Sequence, residues 1–95
     1  MAKFLTGRIV ATKAVVDRMN RELKFGAFVS ESLKRHVNGD WGSTYAEDAK
    51  LNELSVEAGE GRIMSVYIFP ETDEKIWIIT ESDRSVTTVL YPSEY

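Results

Sequence analysis

The chain has 95 residues, 43% hydrophobic and 28% charged, with two prolines and six glycines, the make-up of one folded soluble domain; it excludes a disordered tail and leaves no material for a second core. There is no cysteine, which excludes disulfides and thiolate metal sites and fits a reducing setting. The net charge of -3 is unevenly divided: residues 1–38 carry eight Lys/Arg against three Asp/Glu, and residues 39–95 carry four against twelve. A general nucleic-acid binder is more often basic overall, so DNA binding is not expected.

The opening "MAKFLTGRIVATK" has no apolar run of signal-peptide length, and later runs are short, so the chain reads as cytoplasmic with no membrane partner. "TGRIVAT", Thr6 to Thr12, predicts a short strand. Thr12 can cap a helix through "KAVVDRMNREL", with Val15, Val16 and Met19 at helical spacing. A second helix follows in "FGAFVSESLKRHV", whose stripe is Phe25, Phe28, Val29, Leu33 and Val37. Asn38-Gly39 is its stop, because both residues tolerate positive φ.

After the loop "NGDWGSTY", "AEDAKLNELSVEAG" predicts a third helix with Ser43 or Thr44 at its cap and Gly59 beyond its end. Its apolar positions are sparse, so it is placed on the surface. "GRIMSVYIF", "KIWIIT" and "SVTTVLY" are rich in β-branched and aromatic residues and predict a three-stranded antiparallel meander. Its first link, Pro70 to Glu74, is hairpin-sized, and the second, around Ser82 to Arg84, is expected to be tighter. In the middle strand Ile76, Ile78 and Thr80 face one way and Trp77, Ile79 and Glu81 the other. The order β-α-α-α-β-β-β is an α+β domain, helices packed on a small antiparallel sheet, with the first strand at an edge or beside the last.

Three stretches carry chemistry. His36, the only histidine, ends a helix beside Asp40 and Trp41 and could anchor an anionic or aromatic ligand, or simply belong to a helix cap with Trp41 as a lid. Asp48 and Asn52 share a helix face at i, i+4 and could contact a ligand, hold a loop or lie in solvent. In "TESDRSVTT", Glu81, Asp83 and Arg84 either form a turn or present Arg84 as a phosphate or carboxylate clamp. Asp40, Asp48 and Glu81 are oxygen donors whose spacing specifies no metal site, so neither metal nor cofactor is expected. "GEGR" lacks the lysine and spacing of a phosphate loop.

His36, Glu81, Arg84 and Arg62 have the residue types of a metal-independent ribonuclease: a carboxylate base, a phosphate-holding arginine and a histidine acid. As a ligand-binding set, His36, Asp40, Arg62, Glu81, Asp83 and Arg84 are joined by Trp41, Tyr67 and Trp77, a mixture suited to stacking plus charge clamping.

"HVNGDWG", "GRIMSVY" and "WIITESDRSVTTVLYPSEY" together resemble a family of small uncharacterised proteins carried by phages, plasmids and other mobile elements, the plasmid-related proteins. The resemblance runs over residues 6–95. It rests on His36, Gly39, Asp40, Trp41 and Gly42; on Asp48 and Asn52; on Gly61 and Arg62; and on Trp77, Thr80, Glu81, Asp83, Arg84, Thr87, Thr88, Pro92 and Tyr95. It implies a genomic setting and no reaction. The expectation is therefore a non-enzymatic accessory protein that binds a small anionic ligand, such as a nucleotide, or a host protein, with interference in host defence as its extension. The alternative is the small ribonuclease. The edge strand and the closing "YPSEY" are where two copies could pair as a homodimer.

Overall fold

The β-branched runs of the C-terminal third pair as antiparallel neighbours, and the N-terminal strand joins them in parallel. The computed structural model describes every residue from Met1 to Tyr95. Its elements are β1 (Arg8–Ala11), α1 (Lys13–Arg21), α2 (Leu23–Val37), α3 (Ala46–Ala58), β2 (Ile63–Phe69), β3 (Glu74–Thr80) and β4 (Val86–Leu90), followed by a 3-10 turn at Pro92–Glu94. The domain is α+β in the expected order, and its four strands form one mixed sheet in the order β1-β4-β3-β2.

Thr12 caps α1 as expected, its hydroxyl accepting the Val15 amide. The break between α1 and α2 falls at Glu22, whose backbone is extended (φ -145°, ψ 116°), so α2 begins at Leu23 and carries Gly26 inside it. The stripe that α2 buries is rotated from the one its apolar residues suggest: Phe25, Val29, Ser32 and His36 are buried, while Phe28 and Leu33 only flank the core. His36 completes that stripe because Ser65 and Thr80 of the sheet beneath it supply hydroxyl partners.

Neither Ser43 nor Thr44 caps α3. Tyr45 precedes it without a side-chain bond, because the Thr44 hydroxyl is used by Trp41 and Val66. Gly59 does end the helix in the left-handed conformation, at φ 75°. The second meander link, Glu81 to Ser85, is no tighter than the first, Pro70 to Asp73. Arg84 enters positive φ (61°) within it.

One sheet face carries the main core, where Tyr67, Phe69, Ile76, Ile78 and Val89 meet Val15, Phe25 and Val29 from α1 and α2. Burying such side chains contributes on the order of 1.5–3 kcal/mol each. On the opposite face Ile79 is also buried, whereas Trp77 and Val66 remain half-buried. No helix is long and apolar enough to cross a membrane.

The two sheet edges are treated differently. On β2, Asn52 of α3 accepts from the Met64 amide (3.1 Å) and donates to the Met64 carbonyl (2.8 Å), so a side chain stands in for a neighbouring strand. Next along the edge, the Ser43 amide donates to the Val66 carbonyl (2.7 Å) and the Val66 amide donates to the Thr44 hydroxyl (3.0 Å). An exposed edge is a template for unwanted pairing, and these contacts close most of it.

Candidate functional site

His36 sits in the core, with no exposed surface, between two strands. Its Nδ1 lies 2.6 Å from Ser65 Oγ and its Nε2 2.9 Å from Thr80 Oγ1. Thr80 is bonded to Thr87 (2.7 Å), and Thr87 donates to the Thr6 carbonyl (2.8 Å). A carbonyl only accepts, and each hydroxyl has one proton. The chain therefore runs one way: Ser65 donates to Nδ1, Nε2–H donates to Thr80, Thr80 to Thr87, and Thr87 to Thr6. Burial without a charged partner holds the imidazole down, at about 4, so it is neutral at pH 7. Phe4 and Trp41 pack their rings on it at 5.3 and 6.0 Å.

The "HVNGDWG" loop builds the wall of this chamber. Arg35 holds Asp40 through two nitrogens, at 2.8 and 3.1 Å. That guanidinium keeps the Asp40 carboxyl below its ordinary range. The Tyr67 hydroxyl donates to the Asp40 carbonyl (2.7 Å), and burial pushes the phenol upward. Trp41 is buried, and its indole N–H donates to Glu53 (3.1 Å). Gly42 bridges to Val66 at φ 64°, where a Cβ would stand 2.2 Å from the Val66 carbonyl oxygen. The loop is thus tied by backbone and side-chain bonds to helix and sheet.

Arg84 is equally committed. Its Nη1 donates to the carbonyls of Gly61 (2.7 Å) and Ser82 (3.1 Å), and its Nη2 to that of Ser55 (3.0 Å), tying the β3–β4 link to the end of α3. Arg62 faces Glu81 at 3.7 Å, donates to the Tyr95 hydroxyl and lies over the Tyr95 ring. Asp83 accepts the Ser85 amide within its own turn (3.0 Å), and hydrogen bonding from Ser85, its hydroxyl first and its amide second, lowers the Asp83 carboxyl. Glu81, Asp83 and Glu60 line a shallow hollow that has no cation in its lining. The fold therefore brings Glu81, Asp83 and Arg84 to one link but leaves His36 sealed in the core. Arg84 points to carbonyls and not into the hollow. No three His, Asp or Glu side chains converge where a metal could be held.

The surface best formed for a ligand lies on the other sheet face, and only Trp77 of the expected binding set belongs to it. Its floor follows from register: Val66 pairs with Trp77 and Ile68 with Lys75, so these four side chains form two cross-strand pairs on one face. Met64 continues the floor, and Tyr45 and Asp48 at the start of α3 form one wall, with Pro92 opposite. The groove encloses about 540 Å³, within the range of small-molecule sites. Tyr45 is 83% exposed, and Lys75 makes no ion pair. The signal for this site was available in "KIWIIT", where lysine and tryptophan alternate onto one face, but Tyr45 and Asp48 reach it only through tertiary packing.

The fold and groove define a small α+β domain with an aromatic-lined cleft and a buried polar chain. No protein-family model matches this chain, and no curated protein or solved structure does either.

Proposed function

We propose that the protein is a non-enzymatic binding protein that holds a small anionic ligand with a planar ring, a nucleotide being the fitting class, in the groove floored by Val66 and Trp77. This keeps the ligand class that the sequence suggests and moves the site. The observation that carries the reading is the joint lining by Tyr45, Trp77 and an unpaired Lys75: two aromatic surfaces for a ring and one free cation for a phosphate. Asp48, on the same wall, offers an acceptor for a sugar hydroxyl or a ring amine. The setting is that of the mobile-element proteins whose motifs the chain resembles, and holding a host nucleotide signal is the corresponding role.

Titration with adenosine, guanosine and uridine monophosphates, followed by calorimetry and by thermal shift, tests this. Binding should stabilise the native state in proportion to ligand concentration. Uncharged adenosine should bind more weakly, and Lys75→Glu should weaken nucleotide binding by about tenfold, the equivalent of ~1.4 kcal/mol. Tyr45→Ala, at an exposed position, should weaken it without unfolding the domain. No heat and no thermal shift with any of the nucleotides, or an affinity indifferent to Lys75→Glu, would sink the proposal.

A further inference from the structure

The contrast between the two sheet edges carries a second inference, independent of the groove. On β2 the outward amides and carbonyls of Met64 and Val66 are closed by Asn52, Ser43 and Thr44. On β1 nothing comparable is present. The Arg8 amide donates to the Ser85 carbonyl (3.0 Å) and the Thr12 amide to the Val89 carbonyl (3.1 Å), which turns the even-numbered residues toward β4. Residues along a strand direct their backbone groups alternately to its two sides. The N–H and C=O of Ile9 and Ala11 therefore face outward, and neither residue takes part in any turn, loop or side-chain bond.

The side chains beside this edge describe what would pair with it. Ile9 is 51% exposed, an apolar side chain open to solvent on one side of the strand. Arg8 projects to the other sheet face, is exposed, and makes no ion pair. Lys13 is paired with Asp17 (2.9 Å) and the Lys3 side chain lies against Gly39, so Arg8 is the free cation at this edge. A second copy would bring an unpaired Arg8 to the junction from each side and no acid to meet it. An acidic strand would supply that acid.

We propose that β1 accepts an extended acidic segment of a partner protein by strand addition, its backbone bonding to Ile9 and Ala11, its acidic side chains facing Arg8 and its apolar ones facing Ile9. In this mode the main-chain bonds supply affinity and the alternating side chains supply selection. The likes of Pro or a covering side chain, which blunt such an edge, are absent from Arg8 to Ala11.

The test is amide hydrogen exchange read residue by residue, with a short peptide of alternating valine and glutamate as probe and its valine–lysine counterpart as control. The glutamate peptide should slow exchange at Ile9 and Ala11 and leave Met64 and Val66 unchanged. Ile9→Pro removes one outward N–H and no bond to β4, so it should abolish the protection while the fold survives; Arg8→Glu, which cannot disturb the backbone, should weaken binding by about tenfold (~1.4 kcal/mol). Equal protection by the lysine peptide, or none by the glutamate peptide, overturns the proposal. So does protection that rises with protein concentration alone, which would assign the edge to a second copy. Nucleotide titration of the same Arg8→Glu variant keeps this outcome separate from that of the groove.

Discussion

Asn52 and Met64 bond to each other as paired residues of adjacent strands do, one donor and one acceptor from each, although Asn52 belongs to a helix. Asn52 is the one buried residue of α3, while Leu51 and Leu54 are more than half exposed, so this amide is a principal tie between the helix and the sheet. Asn52→Ala leaves a part-buried N–H and C=O on Met64 without partners and should cost about 1–3 kcal/mol. At about 4–8 °C per kcal/mol for a domain of this size, a thermal melt resolves the loss. Asp48→Ala, one turn earlier on the groove wall, should change stability by less than about 0.5 kcal/mol.

That pair shows what was legible in the sequence. Element order, the meander, the Asn38-Gly39 stop and Gly59 beyond α3 are written in local signals: periodicity, β-branching and residues that tolerate positive φ. Asp48 and Asn52 were also visible as neighbours on one helix face. What each does depends on the strand that arrives beside it, and Met64 lies 12 residues further on. His36 depends on its surroundings for the same reason. Its helix-end position suggests a charged, accessible ring, but Ser65 and Thr80 from two strands enclose it as a neutral one. The expected site residues are mostly those that hold the loop and links in place, which fits their residue types equally well.

The buried imidazole makes stability depend on pH. Its folded value, about 4, lies below the ordinary 6.5, so the unfolded chain takes up a proton that the native state resists. Its contribution is complete above about pH 6.5 and is lost as pH falls from there toward 4, a drop on the order of 3 kcal/mol. Urea unfolding from pH 7 to 4 should show that slope, and His36→Gln should be less stable at pH 7 but flatter across the window. An unchanged slope in the variant would assign the dependence to other groups.

Two glycines at similar positive φ should differ sharply. At Gly42 (φ 64°) a Cβ would stand 2.2 Å from the Val66 carbonyl oxygen and 2.6 Å from the Tyr67 ring, so Gly42→Ala must push the loop off the β2 edge. At Gly59 (φ 75°) nothing lies within 4 Å, and Gly59→Ala meets only the backbone penalty, about 1–2 kcal/mol. Gly42→Ala should cost more than that, with loss of amide protection at Val66. Equal destabilisation in chemical unfolding would show that conformation alone matters at both positions.

Arg84 separates a structural from a ligand-holding arginine. Its guanidinium reaches the Gly61, Ser82 and Ser55 carbonyls at 2.7 to 3.1 Å, three acceptors spread over two segments. A planar fork can serve them together, and the single ammonium of lysine cannot match that geometry. Hydrogen bonds from a charged donor contribute about 1.5–3 kcal/mol, so Arg84→Ala should lower stability by about 2–3 kcal/mol, and Arg84→Lys should recover less than half of it. Because the side chain points toward carbonyls and lies outside the lining of the groove, nucleotide affinity at a temperature where both variants remain folded should be unchanged. A clamp on a bound phosphate predicts the reverse: intact stability in urea and lost binding.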